Sequence, residues 1–232
     1  MNKKRRLIIY GTDDFPQLAK FYFDEDSEYE VSGFTVDEAY KKTDDFCGLP
    51  VVSSDDMEKR FPPDEYSLFI AIAYSHLNEI REAKYFEMKK RGYSLASYMS
   101  SKATIWNEGN KIGDNCFILE DNTIQPYATI GNDTILWSGN HIGHHATIGD
   151  HVFISSHVVL SGRASVGNNA FIGVNATIND HINVAAKTVI GSGALITRDT
   201  EPNSLYKNDR TKRDERDVME LDYFHNSDMQ SK

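Results

Sequence analysis

The stretch "IGNDTILWSGNHIGHHATIGDHVFISSHVVLSGRASVG", residues 130 to 167, decides the fold. Every sixth position in it is aliphatic: Ile130, Leu136, Ile142, Ile148, Ile154, Leu160 and Val166. Followed outward in both directions, the spacing holds without a miss from Ile112 to Ile196, fifteen positions in all. Two residues before these positions the side chain is mostly small, as at Cys116, Ala128, Ala146, Ala164, Ala170 and Ala176. A longer period lies on top of the first, because Gly113, Gly131, Gly149 and Gly167 recur every eighteen residues, each followed by Asp or Asn. One bulky and one small inward residue per six suit a short strand and a turn, and three such units close one triangular coil. The Gly-Asp and Gly-Asn pairs are read here as supplying the positive φ of tight corners. Five coils stacked about 4.8 Å apart predict a prism roughly 24 Å tall with no helix inside.

Ahead of the repeats the pattern changes. Residues 5–11, 29–35, 49–52, 66–73 and 92–99 read as strands, with helices expected at 15–23, 54–60 and 76–91. Strands alternating with helices predict a small Rossmann-like α/β unit over 1–100, whose ligand edge lies at the carboxyl ends of its strands. The repeats then fill 101–200, and a charged tail runs over 201–232, where "VMELDYF" is expected to dock on the body.

Composition narrows the function classes. Thirty-five acidic against 25 basic side chains give a net charge of -10, which argues against nucleic acid as a partner. No apolar run reaches membrane-spanning length, and the basic start is too short in apolar residues for a signal peptide, so a cytoplasmic protein with no membrane partner is expected. Cys47 and Cys116 lack metal-site or redox spacing and read as small core residues.

The repeat resembles that of the hexapeptide-repeat acyltransferases, whose fold is a left-handed parallel β-helix. The handedness follows from the resemblance alone, since parallel crossovers otherwise favour the right hand. With the α/β unit in front, and with "LIIYGTDDF", "GLPVVSSDDM", "FIAIAYSHLNEIR" and "YMSSKATI", the chain looks like the subfamily of sialic acid O-acetyltransferases and N-acetyltransferases of nucleotide-linked amino sugars. That resemblance implies acetyl-CoA as acyl donor, a small-molecule sugar acceptor and a homotrimer. It places the nucleotide-sugar at Gly11, Thr12, Asp13 and Asp37, and acetyl-CoA at Phe153, Val174 and Ser192. It implies His144 as the general base, with His141 and His145 as neighbours. An imidazole suits that task because thioester aminolysis needs a base working near neutral pH. N-acetylation of a deoxysugar amine is the leading expectation, beside O-acetylation of a sugar hydroxyl and a non-catalytic repeat scaffold.

Two departures stand out. Where the subfamily has a Gly-x-Gly-His loop, this chain has "GTDDFP", with two carboxylates in the place of a phosphate cradle, and Ala73 stands where glycine is common. Gly143 and His145 replace the two acidic residues that flank the base, so its orienting group is expected to be a backbone carbonyl, Asp150 or a carboxylate of another subunit. Zinc at His141, His144 and His145 is set aside, because adjacent residues of a strand point to opposite faces and should not converge. His151, His157 and His181 share one slot, three residues before a rung, and are read as residues of the surface or an interface. Trp137, just after rung Leu136, is read as an outward side chain covered by another subunit or a ligand.

Overall fold

Four consecutive buried residues, Leu7, Ile8, Ile9 and Tyr10, mark β1 (Arg5–Tyr10) as a central parallel strand covered on both sides. In the computed structural model, which describes residues 4–209, 213, 215 and 216, β1 pairs in parallel with β2 (Tyr29–Val36) and β5 (Ser67–Ile70). β4 (Leu49–Ser53) extends the sheet beyond β2, and β3 (Asp45–Phe46) closes it as an antiparallel hairpin, giving the order β3-β4-β2-β1-β5. α1 (Asp14–Glu25) lies on one side of this sheet, while α2 (Met57–Arg60) and α3 (Glu79–Lys90) cover the other with Met57, Tyr85 and Met88. α3 starts later than its sequence pattern implies, because His76, Leu77 and Asn78 all take left-handed φ and cannot join a right-handed helix.

The segment expected as a strand at 92–99 is shared between two sheets. Leu95 bridges to Leu68 at the edge of the front sheet, whereas Tyr98–Met99 already pairs with Phe117–Ile118 of the repeats. From there the chain winds into three parallel sheets of seven, six and five two-residue strands among the described residues. The seven-stranded sheet, Tyr98–Met99 to Leu205–Tyr206, is called the docked face below. The six-stranded one, Thr104–Ile105 to Leu195–Ile196, is the histidine face, and the five-stranded one, Lys111–Ile112 to Asn183–Val184, is the polar face. Rungs stack in register, Ile124 on Ile142 on Leu160 for example, and with the small residues they fill the prism interior. The repeat outlasts the exit expected near Asp199, since Leu205–Tyr206 pairs with Val189–Ile190. "VMELDYF" lies outside the described residues.

The corners are built differently from the sequence expectation. Gly113, Gly131, Gly149 and Gly167 do not have positive φ; that conformation falls two residues later, at Asn115, Asp133, His151 and Asn169, and recurs every six residues through His145, His157, Arg163, Asn175, His181 and Lys187. Asn, Asp and His tolerate this region better than most side chains, which accounts for much of the composition of the slot. The glycines serve stacking instead. A Cβ on Gly131 would sit 2.5 Å from the backbone carbon of Gly149 in the next coil, and one on Gly167 would sit 2.5 Å from the Ala186 nitrogen.

The front unit and the prism share one core. Phe117, Ile135 and Phe153, one residue before successive rungs of the docked face, pack with Phe15, Ala19 and Phe23 of α1 and with Phe69 of β5. Trp137 joins them, its ring 6.3 Å from Phe15 and 6.4 Å from Phe153, so its covering partner is the front unit of the same chain. Cys116 is buried in the prism, and burial pushes its thiol up to about 12. Cys47 corrects the expectation: it is exposed in the β3–β4 turn with φ 53°.

Candidate functional site

The left-handed corner that leads from the polar face to the docked face is a column of side chains clamped by the start of α3. Arg81 is fully buried, its Nε 3.1 Å from Asp133 Oδ2, and it also donates to the carbonyls of Ala73 and Asp133. Burial holds the guanidinium below its ordinary value, against the pull of Asp133 in the other direction. Asn115 Nδ2 reaches Asp133 Oδ1 at 2.6 Å, and the buried His151 ring meets Asp133 Oδ2 at 2.7 Å. Further along, Asn169 donates to Glu82 and Lys187 pairs with Glu79. Of the two places expected for this slot, His151 takes an interface, the joint between the two units of one chain, while His157 and His181 are exposed. The sequence hides this, because His151 differs from His157 only in which corner its coil position assigns it.

Above the joint, at the carboxyl ends of β1 and β2, a cleft of about 380 Å³ is lined by Gly11, Thr12, Asp13 and Asp37, together with Lys42 and Lys84. The four expected acceptor positions thus border one cavity. Asp13 is already engaged: it is the N-cap of α1 and its Oδ1 accepts from the Phe15 amide at 3.2 Å, with Asp14 in the first turn. The helix start that would attract a phosphate therefore carries the chain's own negative charge. Asp37 accepts from Lys84, Ser54 and Tyr10. Burial raises its carboxyl, and the hydrogen bonds, led by that from Lys84, outweigh burial and hold it below the usual carboxylate range. Lys84 loses by desolvation and gains more from Asp37 and Glu87, so it is held above its ordinary value. Tyr40 and Ile80 stand exposed at the rim.

His144 and His145 sit elsewhere, on the corner between the histidine face and the polar face. Both are exposed, and their Nδ1 atoms are 3.2 Å apart with the rings at 86°. They do converge, contrary to the alternation argument, because they occupy a corner, where His145 has φ 59°, and not a strand. His144 is pinned by its amide, which donates to Gln125 Oε1 at 2.9 Å, and His145 by its amide, which donates to the Pro126 carbonyl. The Tyr127 ring lies 4.8 Å from that of His145. Gly162 of the next coil leaves the room that the His144 ring occupies, since a Cβ there would be 2.8 Å from Cε1 and Nε2. Among the described residues the Gly162 amide makes no hydrogen bond. Among the described residues neither Asp150 nor a backbone carbonyl hydrogen-bonds to the His144 ring; Asp150 is engaged with Asn132.

His141 projects from the histidine face itself. Val174 and Ser192 are exposed on successive coils at the entering edge of that face, joined by the Gly193 amide donating to the Val174 carbonyl. His144 stands at the opposite edge. Phe153 is not with them: 4% exposed, it stacks on Phe171 at 5.5 Å and meets Tyr74 at 4.9 Å, in the seam with the front unit, and has little surface to offer a cofactor. The signal that would have shown this is the run of bulky apolar residues at Phe117, Ile135, Phe153 and Phe171, eighteen apart, against Thr123, His141, Val159 and Thr177 on the histidine face. Among the described residues no three His, Cys, Asp or Glu side chains gather as metal ligands, and no helix is long and apolar enough to cross a membrane.

Comparison with known proteins gives the fold a context. A model of the bacterial transferase hexapeptide (six repeats) matches residues 127–162. A perosamine N-acetyltransferase from Caulobacter crescentus, solved with CoA and GDP-perosamine, superposes with a TM-score of 0.78 at 22% identity, over 87% of this chain and 93% of that one. The acetyltransferase domain of PglB from Neisseria gonorrhoeae gives 0.77 at 18% identity, over 88% and 97%. WeeI from Acinetobacter baumannii gives 0.73 at 22%, over 87% and 96%. A comparison with curated proteins finds no match. The chain has the expected α/β unit followed by a left-handed parallel β-helix, the handedness being that of the family it resembles, and its likeness in fold to these acetyltransferases extends along most of its length.

Proposed function

We propose that this chain is an acetyl-CoA-dependent acetyltransferase that N-acetylates a nucleotide-linked deoxysugar, with His144 as general base. The observation that carries the reading is the His144 corner: an exposed imidazole lies over Gly162, whose backbone N–H has no partner among the described residues. A base and a free donor side by side are what acyl transfer requires. The amine nitrogen attacks the thioester carbonyl carbon as His144 Nε2 takes its proton. The Gly162 amide donates to the developing oxyanion. The C–S bond then breaks and the proton leaves with the thiolate sulfur as free thiol, with no covalent enzyme intermediate. The solved relatives support the class of substrate, since one was solved with CoA and GDP-perosamine.

The same geometry favours a site shared between copies. The front unit covers the docked face, and His144 stands on the corner opposite it, so the acceptor cleft and His144 of one chain are on different sides of the prism. The outward row of the histidine face, Thr104, Thr123, His141, Val159, Thr177 and Leu195, carries no acidic residue, lysine or arginine, and leaves Leu195 62% exposed. That is a surface suited to a neighbouring prism, in a homotrimer whose groove takes acetyl-CoA along Val174 and Ser192. Within the cleft, the acidic start of α1 directs a diphosphate toward Lys42 and Lys84. The cysteine usage fits a cytoplasmic setting.

The test is to incubate the protein with acetyl-CoA and a panel of amino-sugar nucleotides and follow free thiol. Release with one acceptor, abolished in His144→Ala, is the expected result. Release equal in parent and variant would remove His144 from the mechanism, and none with any acceptor would leave the scaffold reading.

A further inference from the structure

We propose that His145 is a positioning residue that fixes the tautomer of His144; the inference rests on the reading of His144 as base. The two ends of the His144 ring meet different surroundings. Its Nε2 end lies over Gly162, open to a substrate, while its Nδ1 is 3.2 Å from Nδ1 of His145. One hydrogen bond can join two Nδ1 atoms, and its direction decides whether the site works. If His144 Nδ1–H donates and His145 Nδ1 accepts, His144 Nε2 keeps its lone pair and is a base. If His145 donates, His144 carries its hydrogen on Nε2 and has nothing left to accept a proton with.

The corner holds His145 Nδ1 against His144 Nδ1, and the base reading assigns His145 the acceptor role. Its φ of 59° turns the ring back toward His144, its amide is tied to Pro126, and the Tyr127 ring lies 4.8 Å from its own at 33°, which holds the imidazole edge toward its neighbour. During attack the substrate proton goes to His144 Nε2, and the resulting imidazolium keeps its Nδ1–H on the neutral His145. When the proton passes to the departing sulfur, the neutral pair is restored. His145 neither gains nor loses a proton, so it acts through His144 alone.

The positive φ also dictates the test. Glycine keeps the corner at no steric cost, and Asn or Asp tolerates it, so the series His145→Gly, →Asn and →Asp separates backbone from hydrogen bond. His145→Gly is expected to lower kcat about 10–100-fold, the effect typical of losing an orienting partner, with KM and melting temperature unchanged. His145→Asp, and in part His145→Asn, restores an acceptor oxygen and recovers kcat. A readout that needs no turnover is the 15N spectrum of the His144 ring in alkaline buffer. The full-length parent should show the Nδ1–H form, and His145→Gly should shift to the Nε2–H form. An unchanged tautomer in the glycine variant overturns the proposal whatever the rates. His144→Ala as active as the parent overturns the base reading instead, while the spectrum still decides what His145 does.

Discussion

His144 and Asp37 show how differently two exposed-edge residues are used. Among the described residues His144 makes no ion pair, and its exposed ring hydrogen-bonds to His145 and lies beside Gly162, so replacing it removes chemistry with little loss of packing. His144→Ala is expected to lower kcat by about 10²–10⁴, the range for a lost general base, with an unchanged thermal midpoint; kinetics and calorimetry on the same samples check both halves. Asp37 is held ionised by Lys84, Ser54 and Tyr10. Because its folded-state pKa is depressed, it adds stability above the unfolded carboxylate value of about 3.9 and loses it as the pH falls through and below that value. The difference in urea midpoint between the parent and Asp37→Asn should therefore be largest at neutral pH and shrink in acid. A difference independent of pH would show that the carboxylate is not what the network holds.

At the scale of the coil, two kinds of corner residue divide the work. The glycines at 113, 131, 149 and 167 allow coils to stack, and the Asn, Asp and His residues two places later make the turn. Gly131→Ala adds only a methyl group, at a φ that any residue can adopt, yet that methyl would meet the Gly149 backbone at 2.5 Å. A backbone neighbour cannot swing aside as a side chain can. The expected cost is about 1–3 kcal/mol, as for overpacking in a core, read from urea unfolding. Gly48→Ala meets nothing within 4 Å but has φ 74°, so its cost comes from strain alone and serves as the contrast.

For the whole molecule, the question is what makes two units behave as one. An aromatic seam from Phe15 to Phe171 and the buried Arg81–Asp133 pair join them. Arg81→Met leaves the Asp133 carboxylate buried with Asn115 and His151 but without its cation, and breaking a buried pair typically costs about 3–5 kcal/mol. The double variant Arg81→Met, Asp133→Asn should regain part of that loss, since no uncompensated charge remains. A double-mutant cycle in urea measures the coupling, and additive losses would mean that the two side chains do not act as a pair.

The sequence by itself determined the prism and the order of its parts. A period of six with an aliphatic residue at each step leaves one way to bury that row, and the change to alternating strands and helices ahead of it fixes the α/β unit. The family resemblance carried by its motifs, rather than the repeat itself, pointed to His144 and to Gly11, Thr12, Asp13 and Asp37, and those last four line one cleft. Only the tertiary structure decided which corner each repeat position faces. Histidines 145, 151 and 157 share the same slot and the same backbone conformation, yet one borders the candidate base, one is locked against Asp133 and one is exposed. Phe153 and Trp137 changed meaning for the same reason, becoming seam residues once the front unit was seen to lie on their face. A six-residue period specifies what points inward; what lies against the outward side depends on contacts made across long stretches of chain, and no local pattern carries them.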